Sequence, residues 1–283
     1  MIIWLFYLSA YIYSWSIWIL GMTVFKTTIN PYVLVSIGGL GPIVGLFVYF
    51  KLLGCTKDRQ KYIKRLTRIK NIKISTWIIA IFLPFAVVAL SNFIDYLITH
   101  NALPDYNILE FDKDFLAAGS FYPVFLIFFG PIPEELGWRG VAFEELLNRL
   151  NYYKAQIIVA ILWALWHIPL FFIHGSYQNS LGIFTVAFWM FFVNVILNSF
   201  ITGWIYVKSN RSLLMAIIFH YTINLSGEMF YMAPQGQVIK LIIFLILVIF
   251  FEINNKIRGS SLLLTVIFFE NVFGKSYYNI PIL

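Results

Sequence analysis

The sequence predicts an all-α polytopic membrane protein, with about eight transmembrane helices around a polar cavity open to the cytoplasmic half, built as a single integral membrane domain over residues 1–283. Three observations carry that expectation. Of the 283 residues, 60% are hydrophobic, 19% are aromatic and only 12% are charged, a balance suited to lipid rather than to water. The basic charge is segregated: residues 51–73 hold nine Lys and Arg against the single Asp58. Finally, carboxylates, imidazoles and amides stand at the ends of apolar runs or inside them, where ionisable groups are functional suspects by default.

A hydrocarbon core about 30 Å thick takes about 20 apolar residues in a helix. The long charge-free runs are Met1–Phe25, Thr27–Phe50, Ile74–Ile94, Phe115–Pro133, Ala155–Ile173 and Gly175–Val207. Two weaker spans complete the eight. Ser212–Gly227 is short, and Gln237–Asn255 contains Lys240 and Glu252 near its ends, where long side chains can reach the headgroups. Leu262–Phe269 is too short to cross and reads as interfacial. The first run lacks a basic leader and is too long for a signal-peptide core, so it reads as a retained helix.

Lys and Arg collect on the cytoplasmic side of membranes, which makes residues 51–73 cytoplasmic. Alternating the spans from there puts both termini inside, with 17 of the 20 basic residues on the inner side. The connection carrying Asp105, Glu110, Asp112 and Lys113 falls outside. The net charge of +7 is therefore a record of topology and does not imply nucleic acid as a partner, although the basic loop also suits anionic lipid headgroups. Cys55 is the only cysteine, which excludes an internal disulfide and a thiolate metal cluster.

The candidate chemistry lies in a core at about residues 115–230. Pro131 and Pro133 suit the first turn of a helix, so Glu134 and Glu135 open one. Arg139 stands at i+4 from Glu135, in ion-pair reach, while Glu134 projects about 100° away without an evident partner. Taken alone, both acids are also consistent with headgroup-level charges. His167 lies well inside the fifth span, and His220 and Asn224 share one face of the seventh at i, i+4; singly, each is consistent with helix-to-helix hydrogen bonding. Asn194 and Asn198 read mainly as packing groups that can also line a cavity. His100 and His174 fall at outer ends. By depth, Glu134, His167 and His220 all border the cytoplasmic half. A carboxylate that deprotonates water, with donors for a developing oxyanion, is a set of parts for hydrolysis.

These residues resemble the CAAX prenyl endopeptidase family, called the CAAX protease and bacteriocin-processing (abortive-infection-like) family in bacteria and archaea. Glu134, Glu135 and Arg139 match its EExxxR motif, Trp163 and His167 its aromatic-xxxH motif, and His220 and Asn224 its HxxxN motif. The matches span residues 131–225. Trp163 departs from the frequent phenylalanine, and with EELGWRG and WHIP it looks like the prokaryotic branch, hence a multi-pass protein of a prokaryotic cell membrane. The resemblance implies a glutamate-dependent intramembrane endopeptidase without a metal cofactor, acting near the cytoplasmic face on a peptide or lipidated-protein substrate among membrane lipids. It gives Glu134 as the base, His167 as a holder of the water, His220 and Asn224 as oxyanion donors, and Glu135 with Arg139 as structural support. Two alternatives stay open: a zinc hydrolase using Glu134, His167 and His220, which form a His2Glu ligand set, and a non-enzymatic scaffold or immunity protein.

Overall fold

The structure is a computed structural model that describes residues 2–24, 29–53, 56–99 and 121–253. The expectations at Cys55, His100, the acidic connection and Leu262–Phe269 lie outside the described residues. Within them all regular structure is helical, and six stretches are long and apolar enough to cross a membrane by length and composition. These are Ile2–Thr23, Pro31–Leu52, Ile74–Thr99, Tyr152–Phe172, Val186–Lys208 and Pro234–Ile253.

The helices are α1 (Ile2–Thr23), α2 (Pro31–Gly38), α3 (Gly41–Leu53), α4 (Thr56–Leu66) and α5 (Ile74–Thr99). Then come α6 (Phe121–Phe129), α7 (Pro131–Gly137), a π-helical segment Trp138–Phe143, and α8 (Glu144–Leu147). Last are α9 (Tyr152–Trp166), a 3-10 turn Ile168–Phe172, α10 (Tyr177–Ser180), α11 (Val186–Lys208), α12 (Leu213–Met229) and α13 (Pro234–Ile253). The sixth span thus begins at Val186, eleven positions after the expected Gly175. Side-chain caps explain this: Ser176 accepts from Asn179 N and opens α10, and Thr185 accepts from Phe188 N and opens α11, each satisfying an orphan N–H of its helix.

Two local solutions set the packing around the core. In α5, Pro84 has no N–H to give the carbonyl four residues back, and Thr222 of α12 donates to that Ala80 oxygen at 2.7 Å. A helix break is thereby turned into a cross-helix tie. On the other side, α7 comes so close to α3 that a Cβ at Gly137 would stand 2.5 Å from Pro42 Cβ and 2.8 Å from Pro42 O. Only glycine admits that approach.

The buried aromatic centre joins Phe6 and Trp18 of α1, Trp138 of the π segment and Trp166 of α9. Trp166 donates to Ser14 Oγ at 2.9 Å, and Ser14 donates to Gly38 O at 2.7 Å, so the indole N–H and the hydroxyl buried there are both paired. A second core joins α5, α11, α12 and α13 through Ala80, Ile201, Phe219 and Phe244. Leu20, Phe47, Phe82 and Ile246 face outward, the arrangement a lipid solvent permits.

Candidate active site

Glu134 sits in the first turn of α7, whose Pro131 occupies N1, so a missing N–H falls where the helix has no use for one. Glu134 and Glu135 are 9% and 0% exposed, which removes the reading of headgroup-level charges. The chain stays helical beyond them through the buried Trp138, Val141, Ala142 and Phe143. Glu134 is therefore in mid-bundle and not at the end of its span.

The two neighbouring carboxylates are treated differently. Glu135 Oε1 accepts from Arg139 Nη1 at 2.9 Å and from His220 Nδ1 at 2.8 Å. Arg139 is fully buried; its Nη2 donates to Ser199 Oγ at 3.1 Å, and its guanidinium lies 4.6 Å from the Trp163 ring centre. Glu134 has no ion pair among the described residues. Its Oε2 accepts from Trp163 Nε1 at 2.6 Å, and its Oε1 remains open to a cavity of about 470 Å³ that Glu134 lines.

His167, His220 and Asn224 line the same cavity. His167 caps the end of α9, and its Nδ1 donates to the Trp163 carbonyl at 2.8 Å. Because a carbonyl only accepts, the proton is on Nδ1, and in the neutral ring Nε2 is left as an acceptor. The Trp163 ring lies 5.2 Å from the His220 ring and 5.9 Å from His167, so one indole joins all three motifs. Asn224 approaches Gly130, where a Cβ would stand 3.6 Å from its Nδ2. Asn194 and Asn198 of α11 also line the cavity. The sequence motifs are thus gathered at one place.

Residues 117–226 match the Type II CAAX prenyl endopeptidase Rce1-like family. The chain is also 30% identical over 246 residues to CAAX prenyl protease 2 of Methanococcus maripaludis, covering 83% of this chain and 88% of that protein. The chain belongs to this family. It is a CAAX-type protease of the membrane, and the cavity that collects the family's motifs is its candidate active site.

Two features of this family member were not read from the sequence. Trp163 enters the sequence reading as a motif position, yet its indole N–H engages the candidate base; the only signal was the replacement of phenylalanine by an aromatic ring that can donate. Lys240, expected near a span end, lines the cavity together with Gln237 and Leu241.

One expectation needs correction. Charge patterning and depth place the basic segment and the cavity in the same, cytoplasmic half; the structure separates them. The cavity is lined by Pro31, Tyr32 and Ser36 at the start of α2, by Ala187 to Asn198 on α11, and by His220 to Glu228 on α12. The basic residues gather at the other ends: Arg68 donates to Asn210 O beyond α11, and Ser212, before α12, donates to Arg68 O. The error came from taking Glu134 as the end of a span, when the π segment and α8 carry the helix onward.

Among the described residues no three His, Cys, Asp or Glu side chains are grouped closely enough to hold a metal ion.

Proposed function

We propose that this protease cleaves peptides held against the membrane by carboxylate-activated water. The observation that carries this reading is the asymmetry of the two acids: Glu135 is committed to Arg139 and His220, while Glu134 keeps one oxygen fixed by Trp163 and the other open to the cavity. Water bound between Glu134 and His167 Nε2 attacks the peptide carbonyl carbon. Glu134 takes the water's proton, the carbonyl electrons move to oxygen, and collapse of the tetrahedral species expels the amine, which receives that proton.

The oxyanion needs donors, and His220 can be one only with a proton on Nε2. Its Nδ1–H already serves Glu135, so donation requires the imidazolium. Charge supports this: Glu134, Glu135 and Arg139 together carry one excess negative charge, and an imidazolium makes the buried group neutral. Asn224 supplies the second donor through its amide. Glu135 then orients His220, and Arg139 holds Glu135.

The positive-inside rule places the basic segment in the cytoplasm, and the cavity then opens toward the opposite leaflet. Peptides enter from that half, and lipid-bearing peptides of the kind named for the Methanococcus relative are the first to assay. In a Cys55→Ser background, an impermeant thiol reagent outside intact cells labels Tyr177→Cys and not Lys64→Cys. The reverse pattern would invert the orientation.

The test of mechanism uses the purified full chain. Glu134→Gln lowers peptide cleavage by about 10² or more, and chelation of metal leaves the wild-type rate unchanged. Normal turnover by Glu134→Gln removes Glu134 from the mechanism. Loss of activity on chelation, restored by zinc, makes Glu134 a metal ligand instead.

A further inference from the structure

Lys240 is an unusual cavity residue. It lies six positions into α13, about 9 Å along the helix at 1.5 Å per residue, on the face shared with Gln237 and Leu241. Among the described residues its ammonium has no hydrogen-bond or ion-pair partner. Two carboxylates line the same cavity, Glu134 and Glu228, and neither pairs with it. An unpaired ammonium at this depth is costly unless an anion arrives. No Arg and no other Lys lines the cavity; the imidazolium proposed at His220 is committed to Glu135 and the oxyanion, so Lys240 is the cation left for an entering anion.

We propose that Lys240 is an anion subsite that takes the terminal carboxylate of the peptide substrate. This rests on the peptidase reading above. The subsite and the candidate base line one cavity of about 470 Å³, within the size range of small-ligand sites, so a short terminal segment can reach both. A carboxylate on Lys240 gives the entering segment a fixed end, and the distance from that end to Glu134 sets which bond is cut. A phosphate from a lipid headgroup offers the same charge, and the experiment separates the two.

Binding is measured in the Glu134→Gln protein, so that turnover does not enter the reading. The probes are a fluorescent S-farnesyl C-a-a-X peptide with a free carboxylate and its C-terminal amide. The acid binds more tightly by about tenfold, the size of one hydrogen bond to a charged group. Lys240→Gln brings the acid-to-amide ratio toward one, and Lys240→Arg keeps it, which excludes misfolding as the cause. Equal affinity for acid and amide before any change at Lys240 overturns the proposal, as does a preference that survives Lys240→Gln. A lipid occupant gives a third pattern: Lys240→Gln loses phosphatidylglycerol retained through purification while acid and amide bind alike, and this too overturns it. Because binding is read apart from cleavage, a failed peptidase assay and a failed subsite are distinguishable.

Discussion

Two ionic clusters hang on the same broken helix, one on each side of the π segment, and they solve different problems. At the end near the basic segment, Glu144 is saturated. Its Oε1 meets Arg211 at 2.6 Å and Arg65 at 3.1 Å, and its Oε2 accepts from Tyr206 at 2.9 Å. Arg211 is 44% exposed there, so water shares the work of solvation. At the cavity, the Glu135 and Arg139 side chains are wholly buried, yet Glu135 Oε2 and Arg139 Nε have no partner, and Glu134 beside them keeps an oxygen open. A carboxylate with both oxygens engaged by cationic or hydroxyl donors is an anchor. One left partly engaged in a dry place is available for chemistry. Satisfaction, more than burial, separates the two roles.

Removing one partner from each cluster tests this most sharply. His220→Ala removes an oxyanion donor and lowers cleavage by about 10² to 10³. Tyr206→Phe removes one hydrogen bond from Glu144, lowers thermal stability by about 1–2 kcal/mol and leaves the cleavage rate of the folded protein near wild type. Rates on purified protein beside thermal unfolding read both. Equal losses of rate would erase the distinction between the clusters.

How much of this was legible follows from what sequence periodicity reports. The i, i+4 relations of Glu135 with Arg139 and of His220 with Asn224 are properties of one helix, and they can be read from spacing. That the three motifs meet around Trp163 depends on tertiary packing and was reached only through depth and resemblance. Depth itself was misjudged at Glu134, because two prolines and two acids look like the end of a span, and nothing in the local spacing announces a π segment that continues the buried helix. The face of α13 that carries Lys240 was hidden for a related reason: beyond Gln237 and Lys240 it continues through the apolar Leu241 and Phe244, so two polar residues at the start of an apolar run read as the end of a span. The start of α11 was missed because an uncharged run cannot distinguish Ser176 and Thr185 caps from continuing helix.

The next contrast is in coupling energy. Glu135→Ala and Arg139→Ala each leave a buried charge without its partner, costing about 3–5 kcal/mol, and the double variant loses less than the sum by about 1–3 kcal/mol. The half-exposed Arg211 with Glu144 couples by about 1 kcal/mol or less. Thermal or denaturant unfolding of both double-mutant cycles gives the two numbers, and additive losses at Glu135 and Arg139 would mean that the pair does not support the site.

The smallest effect asks whether Trp163 acts on Glu134 or merely fills space. Its ring contacts His167, His220 and Arg139, so removing the whole side chain would disturb everything at once. Trp163→Phe keeps an aromatic surface and deletes the N–H that holds Glu134 Oε2. One charge-assisted hydrogen bond is worth about 1.5–3 kcal/mol, of which the rate registers only the part that differs between ground state and transition state. The expectation is a fall in kcat of about tenfold with KM little changed. A packing defect lowers the rate by the same factor whatever stands at position 134, whereas a positioning role vanishes once the base is gone. In a Glu134→Gln background, Trp163→Phe should therefore have no further effect on the residual rate. If the two losses multiply, Trp163 supports the fold of the cavity and leaves the aim of the carboxylate to other groups.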